Sequence, residues 1–208
     1  MTPSTTRRLT VAGDAGPVEV VHNVPEGPPA GIALVAHPNP VQGGTLDNKV
    51  TQTLAKVFFN LGYVAVRFNF RGVGGSAGGF DEGIGETLDA LAVLADARAT
   101  YGESLPVALA GFSFGTFVQT RVAETFTPLR MVLVGPAVGR FAVGQVPADT
   151  IVIHGEEDEV VPLADVFAWA RPQELPVVVF PGCSHFFHGR LPQLARTITG
   201  MWQRDAQA

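Results

Sequence analysis

The chain has 208 residues, of which 46% are hydrophobic and 16% are charged, and its formal net charge at pH 7 is −5. This composition excludes a disordered chain, and the length is that of one domain that can bury most of its apolar surface in a single core. The negative charge and the scattered arginines give no basic face for nucleic acid or for an anionic membrane. We therefore expect a single domain over residues 1–208, with no nucleic-acid and no membrane partner.

Targeting and redox features point to a cytoplasmic protein. Residues 1–12 contain two arginines but no apolar h-region, so we expect no signal peptide. No uninterrupted apolar run approaches the length of a membrane span. Cys183 is the only cysteine, which excludes an internal disulfide and a cysteine-based zinc site. We expect a monomer or a homodimer that uses no metal and no cofactor.

The first half of the chain alternates predicted strands with predicted helices. Strands are expected at residues 8–11, 18–23, 31–36 and 63–70. Apolar residues at helical spacing predict a helix that ends at Gly62, and they are Val50, Leu54, Val57, Phe58 and Leu61. A second, longer helix is predicted to open at Asp81 and Glu82, and its expected buried stripe is Leu88, Leu91, Ala92, Leu94 and Ala95.

The next stretch predicts a sharp turn that presents a serine. A buried strand is expected at 107–110, and Gly111 and Gly115 then flank Ser113 in the spacing G-x-S-x-G before a helical pattern begins. This spacing suits a strained strand-to-helix corner, because the positions two residues either side of the serine must have almost no side chain. The corner would expose the hydroxyl above the sheet, next to the N-terminal amides of the helix. The alternative interpretation is a plain glycine-rich turn.

The second half continues the same alternation. Strands are predicted at 131–134, 150–154 and 177–180, with an irregular loop at 135–149 and helices at 163–170 and 193–202. Strands that alternate with helices predict an α/β fold, with a mostly parallel sheet covered by helices on both faces. In such sheets ligands bind beyond the carboxyl ends of the strands.

Two of these strand ends are followed by the residue types that would activate a serine. The loop after the 150–154 strand contains four carboxylates, Glu156, Glu157, Asp158 and Glu159. The loop after the 177–180 strand contains His185 and His188. Serine needs a base to take its proton, histidine is suited to that at neutral pH, and a carboxylate fixes the histidine tautomer. The chain order nucleophile, acid, histidine is therefore workable, with the choice of carboxylate and of histidine open at this point.

These motifs strongly resemble the α/β-hydrolase superfamily. The resemblance is carried by residues 111–115, by Gly155-x-x-Asp158-x-x-Val161-Pro162 and by Gly182-x-x-His185-Phe186. More narrowly, the chain looks like a bacterial group of small hydrolases without a cap, for which esterase or thioesterase activity is the usual expectation; the matching segments are residues 37–40, 43–45, 48–49, 67–74 and 80–83. The resemblance covers roughly residues 30 to 205, and Cys183-Ser184 before His185 departs from it.

The resemblance implies Ser113 as nucleophile, Asp158 as acid and His185 as base. The Gly-x-x-Asp spacing favours Asp158 over its acidic neighbours, whereas His188 fits a role in capping or packing the following helix. His22 and His154 fall before or within strands, so we expect them to be structural.

An acyl-transfer site also needs donors for the oxyanion. One is expected to be the backbone N–H of Phe114 and the other should come from the loop after the 31–36 strand. Pro38 and Pro40 have no N–H, so elimination and the resemblance together make Asn39 the candidate. A rigid proline-rich turn with no catalytic part is the alternative. Phenylalanines near these motifs fit an acyl pocket or core packing equally well, and they are Phe112, Phe114, Phe117, Phe186 and Phe187.

The loop at 135–149 is too short for a cap domain, which predicts an open, shallow site. Such a site favours short acyl groups, or large substrates that present a single ester. The hypothesis is a serine hydrolase that cleaves small-molecule carboxylic esters through an acyl-enzyme. A thioesterase with the same triad is the nearest alternative, and a hydrolase-like binding protein with an idle triad is a more distant one. No residue excludes a peptidase or an acyltransferase.

Overall fold

In the computed structural model, which describes residues 5–205, eight strands form one sheet. They are, in chain order, β1 (Thr5–Gly13), β2 (Gly16–Val24), β3 (Gly31–Ala36), β4 (Tyr63–Phe68), β5 (Val107–Phe112), β6 (Arg130–Val134), β7 (Ile151–Gly155) and β8 (Val177–Phe180). The order across the sheet is β1-β2-β4-β3-β5-β6-β7-β8. The β1–β2 hairpin joins β4 antiparallel, and the strands from β4 to β8 run parallel. The predicted mostly parallel sheet is confirmed.

Helices cover both faces of this sheet. They are α1 (Lys49–Asn60), α2 (Ile84–Tyr101), α3 (Phe114–Thr125), α4 (Leu163–Ala170) and α5 (Leu191–Asp205). Along β3, Ile32 and Leu34 pack towards α2 and α3, whereas Ala33 and Val35 pack towards α1 and α5. Every residue of β3 is buried, as its continuous apolar sequence predicts for a strand covered on both sides.

The long helix α2 differs from its sequence prediction. It begins at Ile84 rather than at Asp81, and Asp81 instead accepts a hydrogen bond from the amide of Gly85 at 3.0 Å. Of the predicted buried stripe only Leu94 is buried: Leu88 is 45% exposed, and the other buried apolar residues are Ala90, Val93 and Ala97. The buried face of α2 differs from the hydrophobic pattern because it also carries Asp89. This residue is 1% exposed and binds the buried Arg71 through two hydrogen bonds of 2.8 and 3.0 Å.

The segment between β6 and β7 contains no cap. Residues 135–150 form no helix, and their regular structure is limited to an isolated bridge between Val138 and Phe141. The predicted absence of a cap domain is confirmed, and the carboxyl edge of the sheet is open above β3 and β5.

Strand β4 ends at Phe68, two residues earlier than expected, because Asn69 and Phe70 turn to contact the loops around the carboxyl end of β3.

Candidate active site

Ser113 lies at the corner between β5 and α3. Its φ of 53° and ψ of −121° are unusual for a residue with a side chain, so the corner is strained. A Cβ on Gly111 would lie 2.5 Å from the carbonyl oxygen of Gly115, and a Cβ on Gly115 would lie 2.7 Å from that of His37. Both glycines are therefore required by close backbone packing.

Beside this corner, Asp158 and His185 form a buried pair. The Nδ1 atom of His185 lies 2.6 Å from Oδ2 of Asp158, and the two residues are 2% and 7% exposed. The other carboxylate oxygen, Oδ1, accepts hydrogen bonds from the amides of Val160 at 2.9 Å and Val161 at 2.8 Å. An ionised carboxylate only accepts, so Nδ1 carries the proton and Nε2 keeps a free lone pair.

The carboxyl of Asp158 is held in its charged form. Burial alone would raise its pKa, but the hydrogen bonds from His185 and from the Val161 amide, with the nearby imidazoles, lower the pKa below its ordinary value. Asp158 is therefore ionised at neutral pH and can stabilise a positive charge on His185.

The neighbouring carboxylates have other contacts. Oε2 of Glu156 accepts from the amide of Gly182 at 2.8 Å, and Oε2 of Glu159 accepts from the amide of His185 at 3.2 Å. Both of these side chains, like Glu157, are exposed. Of the four acidic residues, Asp158 is the one whose carboxylate meets a histidine ring.

The acid-bearing loop, residues 155–162, and the base-bearing loop, residues 181–189, are also joined through their backbones. The amide of Glu157 donates to the carbonyl of Cys183 at 3.0 Å. A Cβ on Gly155 would lie 3.0 Å from the carbonyl oxygen of Ser184, so only glycine fits there. The two loops therefore form one packed unit.

The structure also places His154, expected to be merely structural, against the acid. It is fully buried in β7, and its Nε2 atom lies 2.9 Å from the carbonyl oxygen of Val161 and 3.4 Å from Oδ2 of Asp158. Burial lowers the pKa of His154, so the ring is neutral and its Nε2–H points to these acceptors. The only signal in the sequence is that His154 precedes Asp158 by four residues across a strand end.

Ser113 and His185 line the same small cavity, of about 90 Å³, together with Asn39, Val160 and Phe186. No side chain among residues 5–205 hydrogen-bonds to the Ser113 hydroxyl. Hydrogen bonds between a nucleophile and its base are often loose without substrate and tighten in the complex. The cavity thus brings together the predicted nucleophile and the predicted base.

One of the two predicted oxyanion donors lines this cavity, and the other adjoins Ser113 in the chain. Asn39 lines the cavity, and Phe114 directly follows Ser113 at the start of α3. Neither backbone amide donates a hydrogen bond to another described residue. The Asn39 side chain is used differently, since its Oδ1 accepts from the amide of Val41 at 2.9 Å and so caps the short 3₁₀ turn Pro40–Gln42. Two unpaired amides therefore remain available to a ligand.

His37 holds the loop that carries Asn39. Its Nε2 atom accepts from the amide of Phe70 at 3.0 Å, and its Nδ1–H donates to the carbonyl of Pro38 at 2.7 Å. Burial lowers the pKa of His37 to about 4 despite the contact with Pro38, so the ring is neutral and can make both bonds. The ring is a fixed support between β3 and β4.

The other predicted residues, with the exception of Phe186, do not line this cavity. His188 is exposed. Phe112, Phe114 and Phe187 are fully buried in the core, whereas Phe186 is 41% exposed and lines the cavity. Within residues 5–205 no group of three or more His, Cys, Asp or Glu side chains is arranged to hold a metal ion. No helix in this described part is long and apolar enough to cross a membrane.

Known proteins share this fold and much of this sequence. A sequence-family model described as X-Pro dipeptidyl-peptidase (S15 family) matches residues 18–139. An α/β serine hydrolase without a lid from Xanthomonas campestris is 37% identical, with a TM-score of 0.91 over 98% of this chain and 96% of that one. An α/β serine hydrolase homologue from Coxiella burnetii is 38% identical, with a TM-score of 0.86 over 96% of this chain and 97% of that one.

A further relative, from Rickettsia prowazekii, is an uncharacterized protein that is 28% identical over 209 residues, 89% of this chain and 84% of the relative. The sequence-family model covers more than half of the chain, and the lidless Xanthomonas hydrolase matches nearly all of it. The chain therefore belongs to the α/β serine hydrolases without a lid and to the sequence family described as X-Pro dipeptidyl-peptidase (S15 family).

Proposed function

We propose that this protein hydrolyses carboxylic esters through an acyl-enzyme, with Ser113 as nucleophile, His185 as general base and Asp158 as the acid behind it. The observation that carries the proposal is the 2.6 Å contact between His185 and Asp158, on an imidazole that lines one cavity with Ser113. A charged, buried carboxylate that fixes the tautomer of a histidine beside the serine is what serine activation requires.

In the proposed reaction, Oγ of Ser113 attacks the ester carbonyl while its proton passes to Nε2 of His185. The carbonyl oxygen becomes an oxyanion and accepts hydrogen bonds from the amides of Phe114 and Asn39, each worth roughly 3 kcal/mol in comparable sites. His185 then gives its proton to the leaving oxygen, and the acyl group remains on Ser113. Water attacks this acyl-enzyme with His185 again as base, which releases the acid and restores the serine.

The dimensions of the site favour a short acyl group. The cavity at Ser113 has a volume of only about 90 Å³. The absence of a cap leaves its mouth open, so the leaving group can extend beyond the cavity.

Two other activities use the same machinery. A thioesterase differs only in its leaving group, and comparing turnover of matched oxygen and thiol esters separates the two. Peptide hydrolysis is a second candidate because the family model is described as an X-Pro dipeptidyl-peptidase and spans Ser113. Release of para-nitroaniline from Gly-Pro para-nitroanilide tests it directly.

The decisive experiment is intact-mass analysis after incubation with a small fluorophosphonate. We expect a single adduct on the wild type that maps to Ser113, is absent in Ser113→Ala and persists in the matched control Ser104→Ala, whose serine is exposed elsewhere. Circular dichroism establishes that each variant is folded. No adduct on folded wild-type protein would refute an activated serine and favour a binding protein with an idle triad.

A further inference from the structure

A second cavity adjoins the one at Ser113. It has a volume of about 170 Å³ and shares Asn48 and Phe186 with the Ser113 cavity. Its other walls include Lys49 and Val50 at the start of α1, His188 from the base-bearing loop, and Leu191. We call it the Lys49 cavity.

We propose that the Lys49 cavity binds the leaving group of the substrate and that this leaving group carries a negative charge. This inference rests on the proposed function, because it concerns the alcohol or thiol released in the first half of that reaction. It narrows the substrate class to esters or thioesters with a carboxylate or phosphate on the leaving side.

The position of the base identifies the leaving side. His185 must hand its proton to the leaving atom, so the leaving group departs next to His185. The following residue, Phe186, is 41% exposed and lines both cavities. A leaving group that passes the ring of Phe186 therefore enters the Lys49 cavity.

The charge of the Lys49 cavity comes from a lysine that the fold leaves unpaired. Lys49 is exposed and makes no ion pair within the described part of the chain. The nearby carboxylate of Asp47 is taken by Arg8 and Arg67, each at 3.4 Å. The ammonium group is thus free to meet a ligand, and the positive end of the α1 dipole adds to its field.

No carboxylate lines the Lys49 cavity, so none neutralises the charge of Lys49 there. Glu156 and Glu159, which lie on the neighbouring acid-bearing loop, are bound to loop amides and line neither cavity. The apolar walls are Phe186, Val50 and Leu191, and the polar walls Asn48 and His188 carry no negative charge. A short hydrocarbon or phenyl group that ends in an anion matches this combination of walls.

The test compares two acetyl esters that differ in the charge of the leaving group, para-acetoxybenzoate and methyl para-acetoxybenzoate. Each kcat/KM is divided by the hydroxide-catalysed rate of the same ester, which removes the difference in intrinsic reactivity. In wild type the normalised kcat/KM should be higher for the carboxylate ester than for its methyl ester. Lys49→Gln should lower this ratio, the charge preference, two- to fivefold, the size expected for an exposed ion pair. Lys49→Glu should lower it further, and added salt should weaken it in wild type.

The matched control is Lys56→Gln, a lysine on the same helix that does not line the Lys49 cavity and belongs to a surface groove near Arg196. It should leave the preference unchanged. A second ester pair, mono-para-nitrophenyl succinate and its methyl ester, places the charge on the acyl side, where Lys49 variants should have no effect.

The outcomes separate the two proposals. Hydrolysis of both acetyl esters with the same charge preference in wild type and Lys49→Glu would overturn the inference and leave the proposed function intact. A Lys49 effect confined to the succinate pair would overturn the assignment to the leaving group. Absence of ester turnover together with absence of a fluorophosphonate adduct would overturn both.

Discussion

Replacing Asp158 by asparagine should move the ring proton of the proposed base, His185, from Nδ1 to Nε2. Oδ1 of Asp158 accepts from the amides of Val160 and Val161, at 2.9 and 2.8 Å, so the carbonyl oxygen of an asparagine must stay on that side. The opposite orientation would set the side-chain NH₂ against two N–H donors. The NH₂ therefore faces Nδ1 of His185, which must then accept. The imidazole takes the tautomer with its proton on Nε2 and can no longer accept the proton of Ser113.

The expected loss can be sized from this change of tautomer. In the proposed mechanism Asp158→Asn should lower kcat by about 10⁴, which corresponds to ~5.5 kcal/mol of transition-state stabilisation at 1.36 kcal/mol per tenfold. Stability should change little by comparison, because the asparagine oxygen keeps both amide hydrogen bonds. A loss of activity in this variant can thus be distinguished from a loss of folded protein.

The assay is the rate of fluorophosphonate labelling together with kcat on a short-chain ester, each measured beside the midpoint of urea unfolding. Glu157→Gln is the matched control, because Glu157 is an exposed neighbour of the same charge, and it should retain activity within about twofold of wild type. Retention of a tenth or more of the activity in folded Asp158→Asn would refute the argument that this carboxylate fixes the tautomer.

Three further changes should have distinct effects. Gly115→Ala should destabilise the protein by about 1–3 kcal/mol in urea unfolding and suppress fluorophosphonate labelling, because the new methyl group meets the backbone at the end of β3. The control is Gly79→Ala, which has open space around it and should change neither the stability nor the labelling. His154→Leu should cost about 1–3 kcal/mol in urea unfolding, because the buried carbonyl of Val161 loses its 2.9 Å partner. His37 should also contribute a fall of ~2 kcal/mol in the free energy of unfolding from pH 7 to pH 5, and the total fall, to which the similarly shifted His22 adds, should be smaller in His37→Gln. Burial lowers the pKa of His37 in the folded protein to about 4 from its ordinary value of 6.5, so between these pH values the unfolded chain binds the proton first.

Each of these expectations can fail independently. Wild-type stability in Gly115→Ala would mean that the end of β3 can move aside. An unchanged unfolding midpoint in His154→Leu would mean that Val161 finds another donor. A fall in stability with pH that is as steep in His37→Gln as in wild type would assign the acid sensitivity to other groups.

The layered fold was predictable because its central strands, β3 to β7, are buried on both faces. Continuous apolar runs such as Gly31–Ala36 and Val107–Phe112 indicate such strands without any tertiary information. The register of α2 was not predictable, since its inward face includes Asp89, which a hydrophobic pattern treats as outward. That carboxylate is buried because Arg71, well separated along the chain, meets it.

For the site, the sequence supplied residue types and strand ends but not contacts. The pattern around Ser113 indicates the corner, and the strained backbone found there agrees with it. The roles of Asp158 and His185 stay predictions, now supported by the 2.6 Å between Oδ2 and Nδ1 in the structure. The contact of His154 with the acid could not be foreseen, because it depends on how the loop after β7 folds back over the strand that precedes it.

The packing of the acid-bearing loop on the base-bearing loop has a consequence for how the site opens. The Glu157–Cys183 backbone bond and the tight approach of Gly155 to Ser184 bind the two loops together, whereas Ser113 belongs to the β5–α3 corner. In native-state hydrogen exchange, amides across these two loops should share a single opening free energy, distinct from that of the corner. Thermal fluctuation would then separate Ser113 from an intact Asp158–His185 pair, and recovery of the proposed catalytic geometry would require a single docking motion of that pair.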